Sequence, residues 1–354
     1  MRLVSVILIN FNGLSDLSAC LESVASQDHP DIELILIDNC STDGSVDLLR
    51  DFSRDPAQLG RFALKSPLLL LNDSNAGFSA ALNRGIAESS GELVMSLNTD
   101  VVLDASFISS LVGTIERDPE AGSASGKLLR FPPGGVNNVI DSAGHVVFRN
   151  RLAENIAEGQ RGDQSALEPV EVFGTCGAAA LYRREMLEDV RVMGEYFDEQ
   201  FFAFWEDLDM DWRSRMRGWR CLYDPGAIAY HRRGGAGYRK SLLVEYHNYK
   251  NHYLLMIKND MPLFLLRNLP GVLFTELMKA GALLFRCPRA LLALVEVFRL
   301  LPLMRSKRRV IQSTRVVPAR DLEGWFQPFP YRKWIRRHLL DRGRMIMDGE
   351  MERR

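Results

Sequence analysis

Residues 93–100 read LVMSLNTD, an apolar run that ends abruptly in Asn98, Thr99 and Asp100. An apolar run of this length between polar residues predicts a buried parallel strand. In open α/β sheets, ligands bind beyond the carboxyl ends of the strands. We therefore expect Asp100 to lie where a ligand, and a metal with it, is bound.

Three earlier apolar runs show the same pattern, and each of them ends in a polar loop. They cover residues 3–9, 32–37 and 67–71, and the segments between them carry apolar residues at helical spacing. This alternation predicts an α/β fold with a doubly wound, mostly parallel sheet, a pattern typical of nucleotide-binding proteins. However, no GxGxxG follows the first strand, and neither GxxxxGKS nor GxxxxGKT occurs. A dinucleotide oxidoreductase and a P-loop NTPase are therefore poor fits.

The composition is that of an ordinary globular protein. Of the 354 residues, 46% are apolar and 25% are charged, and this length suits one enlarged domain with an appendage. The five cysteines are scattered and form no CxxC pair, which argues against a thiolate zinc site and suits a reducing compartment. Because the first apolar run is too short for a secretory signal, we expect a cytosolic protein.

The charge is unevenly spread along the chain. Residues 301–354 hold 14 Lys and Arg against 6 Asp and Glu, which leaves 30 against 39 for residues 1–300. A basic tail of this kind suggests contact with an anionic surface.

Residues 261–303 are rich in Leu, Phe, Val and Ala, but charges interrupt them before the roughly 18 uncharged residues needed to span a bilayer. Basic residues within such helices predict a position in the membrane interface, and the basic clusters at 305–309 and 332–337 favour anionic headgroups. The alternative is a helical subdomain packed on the core or on a partner subunit. Nucleic-acid binding is disfavoured, because the basic tail comes with aliphatic rather than interleaved aromatic residues.

A second informative stretch, residues 201–213, reads FFAFWEDLDMDWR. Its aromatic run leads directly into clustered acids that include Glu206, Asp207 and Asp209. Acids in a first helical turn favour the helix dipole, so one or two of them can be simple capping residues. Four acids in six residues favour a site in which burial raises a carboxyl pKa towards that of a general base.

The middle of the chain is less informative. Residues 121–172 are weakly periodic and predict an irregular segment with a few strands, whereas residues 172–182 predict a strand of small residues. Small side chains let a substrate approach the backbone or serve tight sheet packing, and both readings stay open. His231 follows a further apolar strand. A histidine there is often structural but is also a common metal ligand, and Arg232 and Arg233 beside it suit phosphate contacts.

Six motifs occur in order along residues 3–235. They are VSVI with NFN at residues 4–12, DNCSTDGS at 38–45, NAGF with NRG at 75–85, LNTDV at 97–101, WEDLD at 205–209 and YH at 230–231. With these motifs the sequence resembles the family 2 glycosyltransferases of the GT-A fold. Within them it is most similar to the bacterial rhamnosyltransferase-like branch that extends lipid-linked surface polysaccharides. The resemblance implies an inverting, nucleotide-sugar-dependent hexosyltransferase.

The resemblance implies roles for particular residues. Asp207 matches the general base, with Glu206 or Asp209 as support. Asp100 matches the last acid of the DXD motif, which holds Mg²⁺ or Mn²⁺ on the donor diphosphate, and His231 matches a histidine that completes the metal site in some relatives. Asn98 replaces the first acid of DXD, so the metal would be held more loosely. Asp38 matches the aspartate that hydrogen-bonds the nucleotide base. The other implied donor-side residues are Ile9, Asn10, Asn12, Asn75, Gly77, Asn83, Asn98, Thr99 and Arg232, and the acceptor-side residues are Gly177 and Trp205.

The resemblance also implies an organisation and partners. Residues 1–240 would form the GT-A domain, with a nucleotide half at about 1–105 and an acceptor half at about 106–240, and residues 241–354 a helical, basic, membrane-interface region. The implied donor is dTDP-rhamnose. A UDP-hexose or a galactofuranose donor is the alternative, because Asp38 pairs equally well with thymine and uracil. The implied acceptor is a polyprenyl-diphosphate-linked glycan at the cytoplasmic face of the cell membrane, where the protein would be peripheral, and a homodimer is possible.

Two other classes fit less well. A sugar nucleotidyltransferase shares a doubly wound sheet, but it usually has a Gly-rich, basic loop after the first strand, which residues 10–13 do not supply. A membrane-bound scaffold with a decayed site is disfavoured by the presence of Asp38, Asp100, Asp207 and His231.

Overall fold

A computed structural model describes residues 2–54, 67–131, 137–164, 168–233 and 241–331. The basic cluster at residues 332–337, on which the membrane hypothesis partly rests, lies outside these ranges. All statements below concern the described residues.

The first part of the chain alternates strands and helices. Its elements are β1 (Val4–Asn10), α1 (Leu14–Ala25), β2 (Ile32–Asp38), α2 (Ser45–Arg54), β3 (Leu68–Leu71), α3 (Phe78–Glu88) and β4 (Leu93–Asn98). The four strands are parallel in the order β3-β2-β1-β4, which confirms the predicted architecture. The register pairs Asn10 with Asp38, so two predicted donor-side residues meet at the carboxyl edge of the sheet.

The second part extends the same sheet. Its elements are β5 (Val101–Leu103), α4 (Phe107–Glu116), β6 (Ala121–Arg130), β7 (Ile140–Ser142), β8 (His145–Phe148), β9 (Ala153–Asn155), β10 (Val170–Val172), β11 (Ala179–Arg183), α5 (Arg184–Asp189), α6 (Glu206–Arg217) and β12 (Arg220–His231). Strand β11 is antiparallel to β4 on one side and to β6 on the other, and β12 lies parallel to β6. Short β5 pairs with the end of β12, which brings His231 opposite Val101, next to Asp100.

Two expectations for the middle of the chain are corrected. Strand β6 is ten residues long and central, although its small residues gave no clear periodicity. Residues 173–178 form a loop, and the strand predicted over 172–182 begins only at Ala179. The loop is tightly packed because a Cβ at Gly174 would lie 1.8 Å from a carboxylate oxygen of Asp211.

Helices cover the sheet with regular apolar faces. In α1 the residues Leu17, Cys20, Leu21 and Val24 are buried, which is the i, i+3, i+4, i+7 spacing of one helix face. All seven residues of β1 are buried and β2 and β4 are largely buried, whereas the edge strand β3 is partly exposed. A sheet covered on both faces explains why the strand sequences are almost continuously apolar.

The C-terminal part is helical. It consists of α7 (Leu242–Asn259), α8 (Pro262–Arg286), α9 (Ala293–Thr314), α10 (Ala319–Glu323) and the short strand β13 (Phe326–Gln327). Strand β13 pairs with β8 in a separate sheet of order β13-β8-β9. One apolar core joins these helices to α6 and β8, through residues such as Trp212, Val147, Leu254 and Phe326.

Helix α8 leaves much of its apolar surface in solvent. Leu263, Leu277 and Phe285 are exposed by 79%, 73% and 88%. Within the described residues, no helix combines the length and apolarity that crossing a membrane requires.

A buried ion pair ties the β8–β9 hairpin to the helices. Arg151, in the turn between the two strands, is fully buried. Its Nε lies 2.6 Å and its Nη2 3.0 Å from the two carboxylate oxygens of Asp260, which follows α7. The guanidinium also lies over the ring of Phe264, 4.4 Å from the centroid. Burial raises the pKa of Asp260, and Arg151 counteracts this shift.

Arg151→Ala is expected to lower the free energy of unfolding by about 3–5 kcal/mol, because it leaves the buried Asp260 without its counter-charge. The measurement is urea-induced unfolding. Arg161→Ala is the matched control, since the Arg161–Asp163 pair is solvated and its loss should leave stability nearly unchanged. Equal stability of the two variants would contradict the role given to Arg151.

Candidate active site

The turn after β4 and the end of β12 bring Asp100 and His231 together. The Nε2 atom of His231 lies 3.4 Å from Oδ2 of Asp100, and its Nδ1 lies 2.8 Å from Oδ2 of Asp141. Burial opposes a charge on His231, but the two carboxylates outweigh it and raise the pKa of His231 to about 10. Burial likewise opposes the charge of Asp141, and its hydrogen bond to His231 is the main reason that the pKa of Asp141 is lowered.

A divalent metal bound at this pair would displace the ring proton of His231, because a histidine ligand is neutral. Asp141 holds one ring nitrogen of His231 and leaves the other facing Asp100, as outer-shell carboxylates do for metal-binding histidines. Among the residues that the structure describes, no group of three or more His, Cys, Asp or Glu is placed to hold a metal. Asp100 and His231 would therefore supply two ligands, and a phosphate-bearing ligand and water the rest.

A cavity of about 490 Å³ connects this pair to the acidic start of α6. Asn98, Asp100, His231, Gly177, Glu206 and Asp207 all line it. Two motifs that lie more than 100 residues apart in the sequence thus meet in one space. Trp205, predicted on the acceptor side, lines it as well.

Asp207 is held in place by backbone donors. The N–H of Gly177 donates to its Oδ2 at 3.0 Å, and the N–H of Leu208 donates to its Oδ1 at 2.8 Å. Glu206 beside it is buried, and burial together with the charge of Asp207 raises the pKa of Glu206 to about 8. Asp207 is thus the oriented carboxylate of this pair, while Glu206 carries a proton at neutral pH.

The structure does not bring Asp209 to the cavity. Its carboxylate accepts from Arg213 Nε at 2.9 Å and lies 2.8 Å from Lys258 Nζ. Asp209 is fully buried and, although burial opposes its charge, the two cations lower its pKa. It is therefore paired with cations inside the protein, and of the two acids predicted to support Asp207 only Glu206 lines the cavity.

The predicted nucleotide residues form a network beside the cavity. The Asn10 amide donates to Asp38 at 2.7 Å and to Ser45 at 2.8 Å, and the N–H of Ser41 donates to Asp38 at 2.8 Å. The Asn12 side chain accepts from the N–H of Thr42 at 2.8 Å. Asp38 and the neighbouring Ile9 are buried. Both oxygens of Asp38 are thus engaged within the protein, and Asp38 fixes the loop after β2.

Gly77 and Asn83 contact the loop before α6, which carries the aromatic residues of the stretch 201–205. Gly77 has φ +86°, and a Cβ there would lie 2.6 Å from the carbonyl oxygen of Phe202. Asn75 accepts from the N–H of Gly77 at 3.0 Å. The Asn83 side chain bonds both the N–H and the carbonyl of Phe197. The NAGF and NRG motifs thus anchor the segment that precedes α6.

Three aromatic residues of this loop have strained backbone conformations. Phe202, Phe204 and Trp205 have φ of 66°, 72° and 71°, a left-handed conformation that bulky residues rarely adopt. The Asn251 amide in α7 lies 2.8 Å from the carbonyl oxygens of Phe201, Ala203 and Phe204. Trp205 Nε1 also donates to Asn248 in α7 at 3.0 Å. Helix α7 therefore holds the turn that presents Asp207.

The two arginines after His231 have different places. Arg232 pairs with Asp16 and lies over Phe131, and it is not among the described residues that line the cavity. Arg233 does line it, with its Nε 2.6 Å from Asp141. Of the two candidates for phosphate contacts, the structure thus brings Arg233 to the cavity.

Several residues that line the cavity were not identified as candidates from the sequence. They are Asp141, His145, Asn155, Glu158, Cys176 and Asn248. Asp141 and His145 flank the short break between β7 and β8, within the segment that lacked periodicity. An acid and a histidine four residues apart were the available signal, but nothing in the sequence placed them near Asp100 or Asp207.

Comparisons with known proteins identify the family of this chain. A family model described as Glycosyl transferase family 2 matches residues 5–191. An N-acetylglucosaminyltransferase of Rhizobium meliloti (strain 1021) is 29% identical over 238 residues, which cover 64% of this chain and 50% of that protein. An N-acetylglucosaminyl-diphospho-decaprenol L-rhamnosyltransferase of Mycobacterium tuberculosis (strain CDC 1551 / Oshkosh) is 29% identical over 247 residues, which cover 64% of this chain and 75% of that protein.

A solved structure, GalNAc-T7 with UDP, GalNAc and Mn²⁺, shares the fold. It has a TM-score of 0.57 and 16% identity, and the match covers 73% of this chain and 48% of that one. The chain spans about half the length of the first relatives that it matches.

Asn251→Leu is expected to lower the free energy of unfolding by about 1–3 kcal/mol, because three carbonyl groups of the strained turn lose their donor. The measurement is again urea-induced unfolding. Asn268→Leu is the control, because the Asn268 amide donates only to Phe264, one turn back in its own helix. If both variants lost the same stability, α7 would not hold the turn as described.

Proposed function

Because the chain belongs to glycosyl transferase family 2 and has the GT-A fold, we propose that it moves a sugar from a nucleoside diphosphate donor to a hydroxyl of an acceptor, with inversion. One observation carries the proposal. The oriented carboxylate of Asp207 and the Asp100–His231 pair line the same cavity, which supports a base and a diphosphate site within one substrate space.

The reaction needs one displacement. The acceptor oxygen attacks the anomeric carbon as the bond from that carbon to the diphosphate breaks, and the electron pair of that bond leaves with the diphosphate. The proton of the acceptor hydroxyl passes to the carboxylate of Asp207. A covalent nucleophile is not required, which gives inversion at the anomeric carbon.

Asp100 and His231 would hold the divalent metal, Mg²⁺ or Mn²⁺. When bound, this group supplies Lewis-acid stabilisation of the charge on the leaving diphosphate. Arg233 lies at the same side of the cavity and adds positive charge there. The solved neighbour with UDP, GalNAc and Mn²⁺ supports a divalent metal for this fold.

We propose rhamnose, from dTDP-rhamnose, as the donor sugar. The support is the similarity to the mycobacterial L-rhamnosyltransferase, which the chain covers to 75% of its length. A UDP-hexose is the second candidate, in particular UDP-N-acetylglucosamine, because other relatives are N-acetylglucosaminyltransferases. The name of the mycobacterial relative also supports a polyprenyl-diphosphate-linked glycan as the acceptor, and hence a role in surface polysaccharide synthesis.

We further propose that residues 1–240 form the transferase domain and that residues 241–354 place it on the cytoplasmic face of the membrane as a peripheral protein. Leu263, Leu277, Phe285 and Phe298 form an exposed apolar face on α8 and α9, which we name the lipid face. The exposed arginines that accompany it are Arg267, Arg286, Arg289 and Arg299. An apolar face with basic residues suits the interface of an anionic membrane.

Asp207→Asn is expected to lower kcat by about 10²–10⁴-fold, because the acceptor proton loses its base. Turnover is measured at pH 7 with dTDP-rhamnose and with UDP-N-acetylglucosamine, and nucleotide affinity by calorimetry should not change. Glu206→Gln is the control: the pKa of Glu206 is about 8, so its carboxyl is protonated at pH 7 and an amide replaces it at little cost. Near-normal turnover of the Asn variant would refute the assignment. If the wild type used UDP-N-acetylglucosamine but not dTDP-rhamnose, the UDP-sugar would be the donor instead of the proposed one.

The lipid face is tested with vesicles of phosphatidylglycerol and, separately, of phosphatidylcholine. The double change Leu277→Glu with Phe285→Glu should weaken binding to phosphatidylglycerol at least about tenfold, since each side chain contributes about 1.5–3 kcal/mol of apolar burial. Met193→Glu is the control, because Met193 is an exposed apolar residue outside the lipid face. Equal sedimentation of all three proteins would contradict the proposal.

A further inference from the structure

A histidine lies beside the carboxylate of Asp207, and both line the cavity. His145 begins β8, and its Nε2 lies 3.6 Å from Oδ2 of Asp207. Its Nδ1 lies 3.1 Å from Oδ2 of Asp211. The three side chains form a line, Asp211–His145–Asp207, that runs from the interior of the protein to the cavity. This line was not predicted from the sequence, because β8 and α6 are about 60 residues apart.

The inner end of this line is rigid. The N–H of Thr175 lies 3.1 Å from both carboxylate oxygens of Asp211, and the Thr175 hydroxyl lies 3.3 Å from one of them. Asp211 occupies the space that the missing side chain of Gly174 leaves open. The N–H of His145 donates to the carbonyl of Gly174 at 2.8 Å, so the same loop fixes both the ring and its carboxylate partner.

His145 also supplies the local positive charge. Asp209, in the same helix, has Arg213 and Lys258 as counter-charges. Within the described chain, the ion pairs of Asp207 and Asp211 run only to His145. The other titratable groups that face its ring are Glu206 of α6 and the thiol of Cys176.

The protonation states agree with this placement. Burial opposes a charge on His145, but Asp207 and Asp211 outweigh it, and the pKa of His145 lies well above its usual range. Burial raises the pKa of Asp211 to about 6, and the hydrogen bond to His145 limits this shift. At neutral pH the ring of His145 is therefore an imidazolium that lies between Asp207 and Asp211.

We propose that His145 is a positioning residue for the base: Asp211 fixes its ring, and the ring fixes the orientation and the negative charge of Asp207. The inference rests on the proposed function, since it assigns a second residue to the same proton transfer. The acceptor proton still passes to Asp207. The imidazolium keeps both of its ring protons, and it acts by holding the carboxylate ready to receive the acceptor proton.

The kinetic test compares His145→Gln, which keeps a hydrogen-bond donor but has no charge, with the wild type. General base catalysis as a whole contributes about 10²–10⁴-fold, so loss of the positioning charge should lower kcat about 10- to 100-fold. The KM for the donor should not change. The acidic limb of the pH dependence of kcat should move to higher pH, because a carboxylate without its counter-charge takes up a proton more readily.

Two further variants separate this role from a structural one. His29→Gln replaces another buried histidine, whose ring contacts the carbonyl of Arg2 far from the cavity, and it should leave kcat and the pH profile unchanged. His145→Ala opens a cavity at the ring position, and added imidazole should restore part of its kcat. Unchanged kcat and pH profile in His145→Gln, in a wild type that transfers sugar, would overturn the inference and leave the proposed function intact.

A measurement without turnover tests the same line. The chain has six histidines, and ¹⁵N-histidine spectra of the wild type and of His145→Gln identify the His145 resonance. The His145 ring should stay protonated at pH 8 in the wild type. In Asp211→Asn the pKa of His145 should be lower than in the wild type. A ring that titrates in the ordinary range would overturn the inference whether or not sugar is transferred. A protonated ring in a wild type that transfers no sugar would instead refute the proposed function, and the role of His145 with it.

Discussion

The start of α6 concentrates four carboxyl groups in two buried turns, and this charge must be compensated from elsewhere in the chain. Lys258 of α7 and Arg213 compensate Asp209, and His145 of β8 compensates Asp207 and Asp211. The same cluster extends to Asp198, which pairs with Lys258 and with Lys307 of α9. Two of the C-terminal helices and the β8–β9 hairpin are thus bound to the site by electrostatics as well as by apolar packing.

This charge pattern explains how one helix turn can hold two carboxyl groups in different states. Asp207 keeps backbone donors on both oxygens and a cation beside it, whereas one oxygen of the adjacent Glu206 is buried without a hydrogen-bond partner within the described protein. Burial and the charge of the neighbouring Asp207 therefore raise the pKa of Glu206. Environment, rather than residue type, distinguishes the oriented carboxylate from its protonated neighbour.

Much of the fold could be predicted, because strands β1 to β4 read as continuous apolar runs and three of them, β1, β2 and β4, are largely buried. The placement of their polar ends at one edge of the sheet also followed, since the carboxyl ends of parallel strands share an edge. The site was predictable where a motif ends a strand or begins a helix, as for Asp100, Asp207 and His231. The sequence could not predict which side chains of a motif point away from the cavity. Asp209 belongs to the same motif as Asp207, yet a step of two residues along a helix points it to Lys258 instead of the cavity.

The residues that escaped prediction share a physical reason. Asp141 and His145 lie on short strands of three and four residues, in which neither a helical nor a strand period can develop. Their neighbours are fixed by long-range pairing, since β8 is completed by β13, about 180 residues later. Sequence patterns report local burial, whereas these side chains owe their positions to contacts between distant parts of the chain.

Helix α7 links the cavity to the exposed apolar surface of α8. On one side, Asn248 and Asn251 hold the strained turn before Asp207. On the other, His252 lies 2.8 Å from Glu276 of α8, and its ring packs against Trp205 with 5.1 Å between centroids. Burial lowers the pKa of His252 to about 4, so its ring is neutral and serves packing between these elements. A single helix layer therefore separates the acceptor side of the cavity from the helix that bears most of the lipid face. This short separation suits the proposed lipid-linked acceptor, whose sugar would reach the cavity while its lipid carrier stays in the membrane.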